Sequence, residues 1–342
     1  MERSMIKASC IAVVCVLVLG VAAGAQIGNP ASRLDAASAL TSLDGIAQPA
    51  WHLKLDVTVF GDKGKNPSEG TIEVWHSGAD ERTVSVFGGA SGTTMKHDGK
   101  SYYKLSGPSL PFEAEEVLQQ VVHPGPRPSE AIDAVPEMQK HKFGKVELDC
   151  VMLTQPIKGA GKVPLGLFPT YCMDAAGIIR YTYNFGGQSV ILNSMGKFLG
   201  HDVATAAVIR GDEFEVASAK VVTLTTYTPQ PDEFVPGADM VQVGATVRAS
   251  GGVMAGNIVS KVQPFYPEGA KERHESGTVI LHAIIGRDGH VHSLRPVNAS
   301  DPDFVIAAIA AVRQWTYKPY LLNGEPTEVD TTITVNFSLN PF

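Results

Sequence analysis

The 342-residue chain is short of positive charge. Its formal net charge is −7, and residues 1–25, with Arg3 and Lys7 against Glu2, are the basic end of an otherwise acidic body. A nucleic-acid binder would carry a basic face or stripe, so no nucleic-acid partner is expected. Catalytic signatures are missing too. There is no Gly-x-Ser-x-Gly, no His-Glu-x-x-His and no phosphate loop. Gly159-Ala160-Gly161-Lys162 is followed by Val163, not by the Ser or Thr that would hold magnesium. Gly88-Gly89, before Ser91-Gly92, reads as a hairpin connection and not as an anion nest. No acids form a privileged pair: Glu113, Glu115 and Glu116 fall in the first turn of an expected helix, where the dipole favours them, and Asp301 and Asp303 flank another helix start. These absences nominate no catalytic residue, no metal site and no cofactor, and a non-enzymatic role is expected.

Cysteine is scarce, and a second long apolar run is lacking. The one such run, residues 8–19, follows Arg3 and Lys7 and ends in Ala23-Gly24-Ala25, the small-residue pattern of a cleavable export signal with a cut before Gln26. The rival reading is an uncleaved anchor, since residues 8–25 reach about the 18 residues needed to cross a bilayer. Cleavage is expected, giving a periplasmic or envelope-associated protein; an uncleaved segment would leave it anchored in the inner membrane. Val14 before Cys15 argues against a lipoprotein anchor. With Cys10 and Cys15 inside this run, the exported body keeps Cys150 and Cys172, and a lone pair in such a chain predicts a disulfide. Its loop of about 20 residues would contribute about 3 kcal/mol on a chain-entropy account.

The composition, 44% hydrophobic and 18% charged, suits one large or two modest domains with substantial cores. Residues 26–49 read as a short helix, over 31–43, and a lead-in. Residues 50–236 read as a β-rich domain. Trp51, Leu53, Leu55, Val57 and Val59 alternate with polar residues, a half-buried strand. Further strands are predicted over 71–77, 83–87, 92–97, 100–105, 145–153, 177–185, 189–192, 200–210 and 213–227. The last has an irregular apolar phase at Val216, Val221 and Leu224. A helix over 112–122 interrupts the meander and stops before the prolines of 123–128. An antiparallel sheet of eight to ten strands with one or two helices predicts a curved, half-closed barrel. In architecture, though in no motif, this is similar to the half-barrels of periplasmic lipoprotein carriers, which would imply an apolar ligand. A concave face filled by the domain's own helix or side chains is the alternative. Residues 237–258, rich in Gly, Ala and Val, read as a linker with a single strand.

Residues 259–342 are the most specific stretch. Pro264 and Pro267 lead into one helical turn at 268–273, then a strand at 277–285. Asp288-Gly289 signals a hairpin into 290–297. Taken as a two-residue turn, it sets Arg287 opposite His290 and Ile285 opposite His292. That leaves His282 too far along for a three-histidine metal site, so surface histidines are expected. Ser300 or Asp301 caps a helix with Phe304, Ala308, Val312 and Trp315 on one stripe, and Pro319 ends it. Asn323-Gly324 turns into a strand at 328–339 that alternates Val329, Thr331, Ile333, Val335 and Phe337.

Tyr266-Pro267 with Ala270, Gly277-x-Val279, Asp288-Gly289-x-Val291, the Ala-rich helix ending Ala311-Val312-Arg313-Gln314-Trp315, Pro319 and Asn323-Gly324 together resemble the carboxy-terminal domain of TonB-type energy transducers. The resemblance implies an α+β chain: the β-rich domain followed by a small α+β domain, with a three-stranded antiparallel sheet and helices on one face. It also implies recognition of an outer-membrane transporter, or another envelope protein, by strand addition to an exposed edge. The strand at 328–339 is the candidate, with Glu328, Asp330, Thr332, Thr334 and Asn336 as partner-facing residues. Trp315, Tyr317 and Tyr320 are expected in packing roles. The chain departs from those transducers in its cleavable-looking signal, in the lack of a histidine in the apolar run, and in 22 prolines scattered where a proline-rich spacer would stand. A folded domain occupies the spacer's place, which detaches the resemblance from coupling to a proton-driven motor.

Overall fold

The computed structural model describes residues 29–61, 65–107, 110–131, 133–157, 163–183, 188–211, 214–244, 246–299, 301–322 and 325–339. The leader, Gly159-Ala160-Gly161-Lys162 and the Asn323-Gly324 turn lie outside the described residues. No helix among the described residues is long and apolar enough to cross a membrane.

Asn29 accepts a hydrogen bond from the Ala31 amide and, with a proline in the first turn, starts α1 (Pro30–Thr41). A meander follows: β1 (Trp51–Val59), β2 (Ser68–Ser77), β3 (Asp80–Phe87), β4 (Ala90–His97) and β5 (Lys100–Ser106). Phe87 and Ala90 pair directly across Gly88-Gly89, so that dipeptide is the hairpin connection its composition predicts. Helices α2 (Phe112–Val122) and α3 (Pro128–Ala131) intervene. The sheet then resumes with β6 (Val135–Phe143), β7 (Val146–Thr154), β8 (Thr170–Met173), β9 (Ile179–Tyr183), β10 (Ser189–Phe198), β11 (His201–Arg210) and β12 (Glu215–Thr226). These twelve strands, with the two-residue β13 (Val241–Gln242) outside β5, make one sheet running β13-β5-β4-β3-β2-β1-β12-β11-β10-β9-β8-β7-β6.

The sheet exceeds the eight to ten strands expected, because β6 and β8 carry no period-2 signal. β6 is an edge strand with Pro136 and several charges. β8 is a run of four residues buried on both faces. β12 lies beside β1 near the middle of the sheet, and a bulge opposite Lys54/Leu55 accounts for its irregular phase. Cys150 and Cys172 are paired across β7 and β8 and form the expected disulfide.

One face of this open sheet is filled by the chain's own helices. Leu34 and Ala37 of α1, and Ala114, Val117 and Val121 of α2, share a core with Trp51, Leu53, Leu55, Tyr171, Ile179, Val190 and Ile209. At the open side of α2 a polar network is buried. Arg127 donates to Glu116 at 2.6 Å, and its backbone N–H donates to Glu130 at 2.9 Å. Tyr171 donates to Glu130, Gln120 to Glu116, and Thr182 to Gln120. Glu116 is therefore not the solvated first-turn acid its position suggests: it lies inside, neutralised by an arginine eleven positions on.

The carboxy-terminal part begins with β14 (Val247–Arg248), α4 (Gly251–Ala255), β15 (Ile258–Ser260) and α5 (Glu268–Glu272). It continues with β16 (Gly277–Ile285), β17 (Val291–Ala299) and α6 (Pro302–Val312), which Asp301 caps through the Asp303 amide. β18 (Thr316–Tyr317), β19 (Leu321–Leu322), β20 (Glu325–Pro326) and β21 (Val329–Phe337) complete it. The sheet order is β14-β21-β16-β17. It is four-stranded, not three-stranded as expected: β14, from the segment read as a linker, adds parallel to the outer side of β21. Its core gathers Phe304, Val305, Ala308, Ile309, Val312, Trp315 and Tyr317 against the inward row of the sheet, so the two aromatics pack as expected. Met152, Val163, Leu167 and Phe168 of the β-rich domain complete the same core. Arg313 donates to the Gly166 carbonyl at 2.8 Å, and Arg295 pairs with Asp133 at 2.9 Å.

Candidate functional site

The expected recognition strand is β21, and its alternating sequence fixes its two faces. Val329, Thr331, Ile333, Val335 and Phe337 are buried, and Phe337 stacks on Phe304 with ring centroids 4.5 Å apart. The other phase faces outward: Thr332, Thr334 and Asn336 are exposed, while Glu328 and Asp330 are half-buried. Asp330 accepts from or pairs with His282 at 3.0 Å, and Thr278 donates to Asn336 at 3.0 Å, so two of these side chains are tied laterally to β16.

The backbone of the same residues points away from β16. The carbonyls of Glu328 and Asp330 accept from the amides of Val247 and Ala249 at 2.9 and 3.1 Å. By the two-residue period of a strand, this outward row continues at Thr332, Thr334 and Asn336. Among the described residues no strand pairs with β21 on this side beyond Asp330. The five residues chosen from the sequence thus form one row, part of it already paired by β14. The single strand expected in residues 237–258 could not be placed at β14 or beside β21 from the sequence, because two residues carry no periodicity. The only available signal was Val247 flanked by Thr246 and Arg248 in a Gly/Ala-rich stretch.

The histidines lie elsewhere. The connection between β16 and β17 is longer than two residues: Gly289 donates to the Gly286 carbonyl, Gly286 donates to His290, and Ile285 pairs with Val291. The expected opposition of Ile285 with His292 is therefore wrong by one residue, because Gly289, at φ +82°, is the left-handed residue of a bulged turn. Asp288 bridges the turn, contacting His292 at 3.0 Å and accepting from the His290 amide at 2.9 Å. Burial pushes the Asp288 carboxyl up, but His292 outweighs it and holds it below its ordinary value; the same contact holds His292 above its own. These are half-buried, bonded groups, not free surface histidines.

Two small clefts lie in and beside the β-rich domain. One of about 200 Å³ lies between Arg33, Ala37 and Leu40 of α1 and Met173 of β8. Another, of about 330 Å³, is walled by Arg82, Met95, Lys104 and Asp239. The buried network of Glu116, Arg127 and Glu130 is internally bonded and joins α2 and α3 to the sheet. Burial raises the Glu130 carboxyl against the opposing pull of Arg127.

Residues 262–339 match the family model of the Gram-negative bacterial TonB protein C-terminal. Protein TonB of Vibrio cholerae is 28% identical over 83 residues, which is 24% of this chain and 34% of that protein. The chain thus spans about a third of that relative's length. Among solved structures, a LolA superfamily protein from Nitrosomonas europaea superposes with a TM-score of 0.36 at 9% identity, over 61% of this chain and 98% of that one. A DUF1329 family protein from Desulfovibrio piger superposes with a TM-score of 0.34 at 13% identity, over 60% and 94%.

Proposed function

We propose that this is an exported, TonB-like envelope protein that acts by recognising another protein, and that its carboxy-terminal domain adds an extended segment of an outer-membrane transporter or other envelope protein to β21. The observation that carries this reading is the outward row from Glu328 to Asn336. It is a sheet edge that the chain leaves without a strand partner past Asp330 among its described residues. The match at residues 262–339 supports the same reading. Domain boundaries at 50–236 and 259–342, and removal of residues 1–25, belong to the proposal. A mature amino terminus at Gln26, found by mass spectrometry, is its expected mark; retention of residues 1–25 would instead favour a membrane-anchored form.

A carrier role for the β-rich domain would require α1 and α2 to leave the face they fill, since Leu34, Val117 and Val121 occupy it. The recognition reading is tested by immobilising the full chain and passing envelope extract over it. An outer-membrane protein retained by the natural chain and lost with Thr334→Pro is expected, because proline removes an outward N–H from β21. Equal retention by both chains would overturn the assignment to this edge.

A further inference from the structure

The outer edge of β21 is only half open, and the occupant of the closed half has a defined chemistry. Residues 246–250 run parallel to β21, Val247 beside Val329 and Arg248 beside Asp330. Two amides, of Val247 and Ala249, donate to the carbonyls of Glu328 and Asp330. Thr331 returns a hydroxyl hydrogen bond to the Ala249 carbonyl at 2.8 Å. Thr246 donates to the Glu328 carboxylate at 2.6 Å, and the guanidinium of Arg248, almost fully exposed, stands 3.9 Å from Asp330. Gly251 then passes so close to the Thr332 carbonyl that a Cβ there would collide with it. Met254, buried in the module's core, anchors the far end.

We infer that residues 246–250 are an internal stand-in for the partner strand. The segment that displaces them runs parallel to β21, with small residues facing the core and a hydroxyl followed two residues later by a cation facing Glu328 and Asp330. Two considerations support displacement over simple extension. Gly251 already lies against the Thr332 carbonyl, the first outward carbonyl past Asp330, where an added strand would have to pair. The stand-in is held through its backbone and by the Thr331–Ala249 and Thr246–Glu328 hydrogen bonds, which a partner strand of the stated chemistry would replace in kind. The exposed Arg248–Asp330 pair adds little. The partner thus competes with a tethered segment, and the protein is restrained until a better strand arrives. This rests on β21 being the recognition edge.

The test uses the full chain and a labelled synthetic peptide carrying residues 246–252, Thr-Val-Arg-Ala-Ser-Gly-Gly, with its reversed sequence as the control for direction. Val247→Pro/Ala249→Pro deletes the two donated N–H groups, and Gly251→Val pushes the same segment off by collision without touching them. Either variant, shown folded by circular dichroism, is expected to bind the forward peptide about tenfold more tightly than the natural chain, because the tethered competitor is gone. The reversed peptide is expected to bind weakly to all. Equal affinity in natural and variant chains, no binding to any chain, or equal binding of both peptides would overturn the inference. Failure of the underlying reading looks different. The variants would then bind the peptide better, yet neither they nor the natural chain would retain an outer-membrane protein.

Discussion

At the scale of single residues, a few ion pairs give stability a pH dependence of definite sign. His123, at the end of α2, is hydrogen-bonded to Asp44 at 2.8 Å, and this bond, opposed by burial, holds its imidazole above the ordinary value. A raised histidine stabilises fully below its unfolded pKa of about 6.5 and loses that contribution as pH rises through the folded value. His292 on Asp288 acts in the same direction. The urea midpoint is therefore expected to fall as pH rises above neutrality, and Asp44→Asn to flatten that fall; an unchanged slope would contradict the assignment. Arg127 is the counter-charge to Glu116 and Glu130, both nearly inaccessible to solvent. Arg127→Ala strands the buried acids and is expected to cost about 3–5 kcal/mol by urea unfolding. This network could not be read from the chain, because Glu116 sits beside Glu113 and Glu115 in a pattern that a solvated first helical turn explains equally well.

At the scale of elements, legibility followed periodicity. β1 and β21 alternate, and their buried rows are the ones their sequences predict; β16 was legible as a strand, but its apolar residues fall on both faces and do not mark its buried row. The helix α2 was marked by its acids and the prolines behind it. β6, β8 and β14 were not legible, for three different reasons: an edge strand polar on both sides, a short strand buried on both sides, and a strand too short for any period. The hairpin of β16 and β17 was placed correctly but its turn misjudged, because Asp-Gly serves a bulged turn as well as a two-residue one. Gly289 is demanded twice, by its left-handed backbone and by the Tyr317 carbonyl that crosses where a Cβ would lie. Gly289→Ala is expected to destabilise by about 1–3 kcal/mol in thermal unfolding. A neutral result would show that the 316–317 segment yields freely.

At the scale of the whole molecule, the two halves share a core. Phe168, from the connection between β7 and β8, is almost fully buried in the carboxy-terminal cluster, and Arg313 is bonded to Gly166 beside it. Phe168→Ala is expected to cost about 3–5 kcal/mol and to separate the unfolding of the two halves in calorimetry. A single unaltered transition would contradict the shared core. That shared core underlies the sheet that carries β21. The recognition edge is tested most directly by placing single cysteines at Thr334 and Asn336, with a control at exposed Val222 on β12, and oxidising whole cells. Disulfide adducts to an outer-membrane protein are expected from positions 334 and 336 and none from 222. Absence of adducts at both edge positions, or equal adducts from the control, would contradict it.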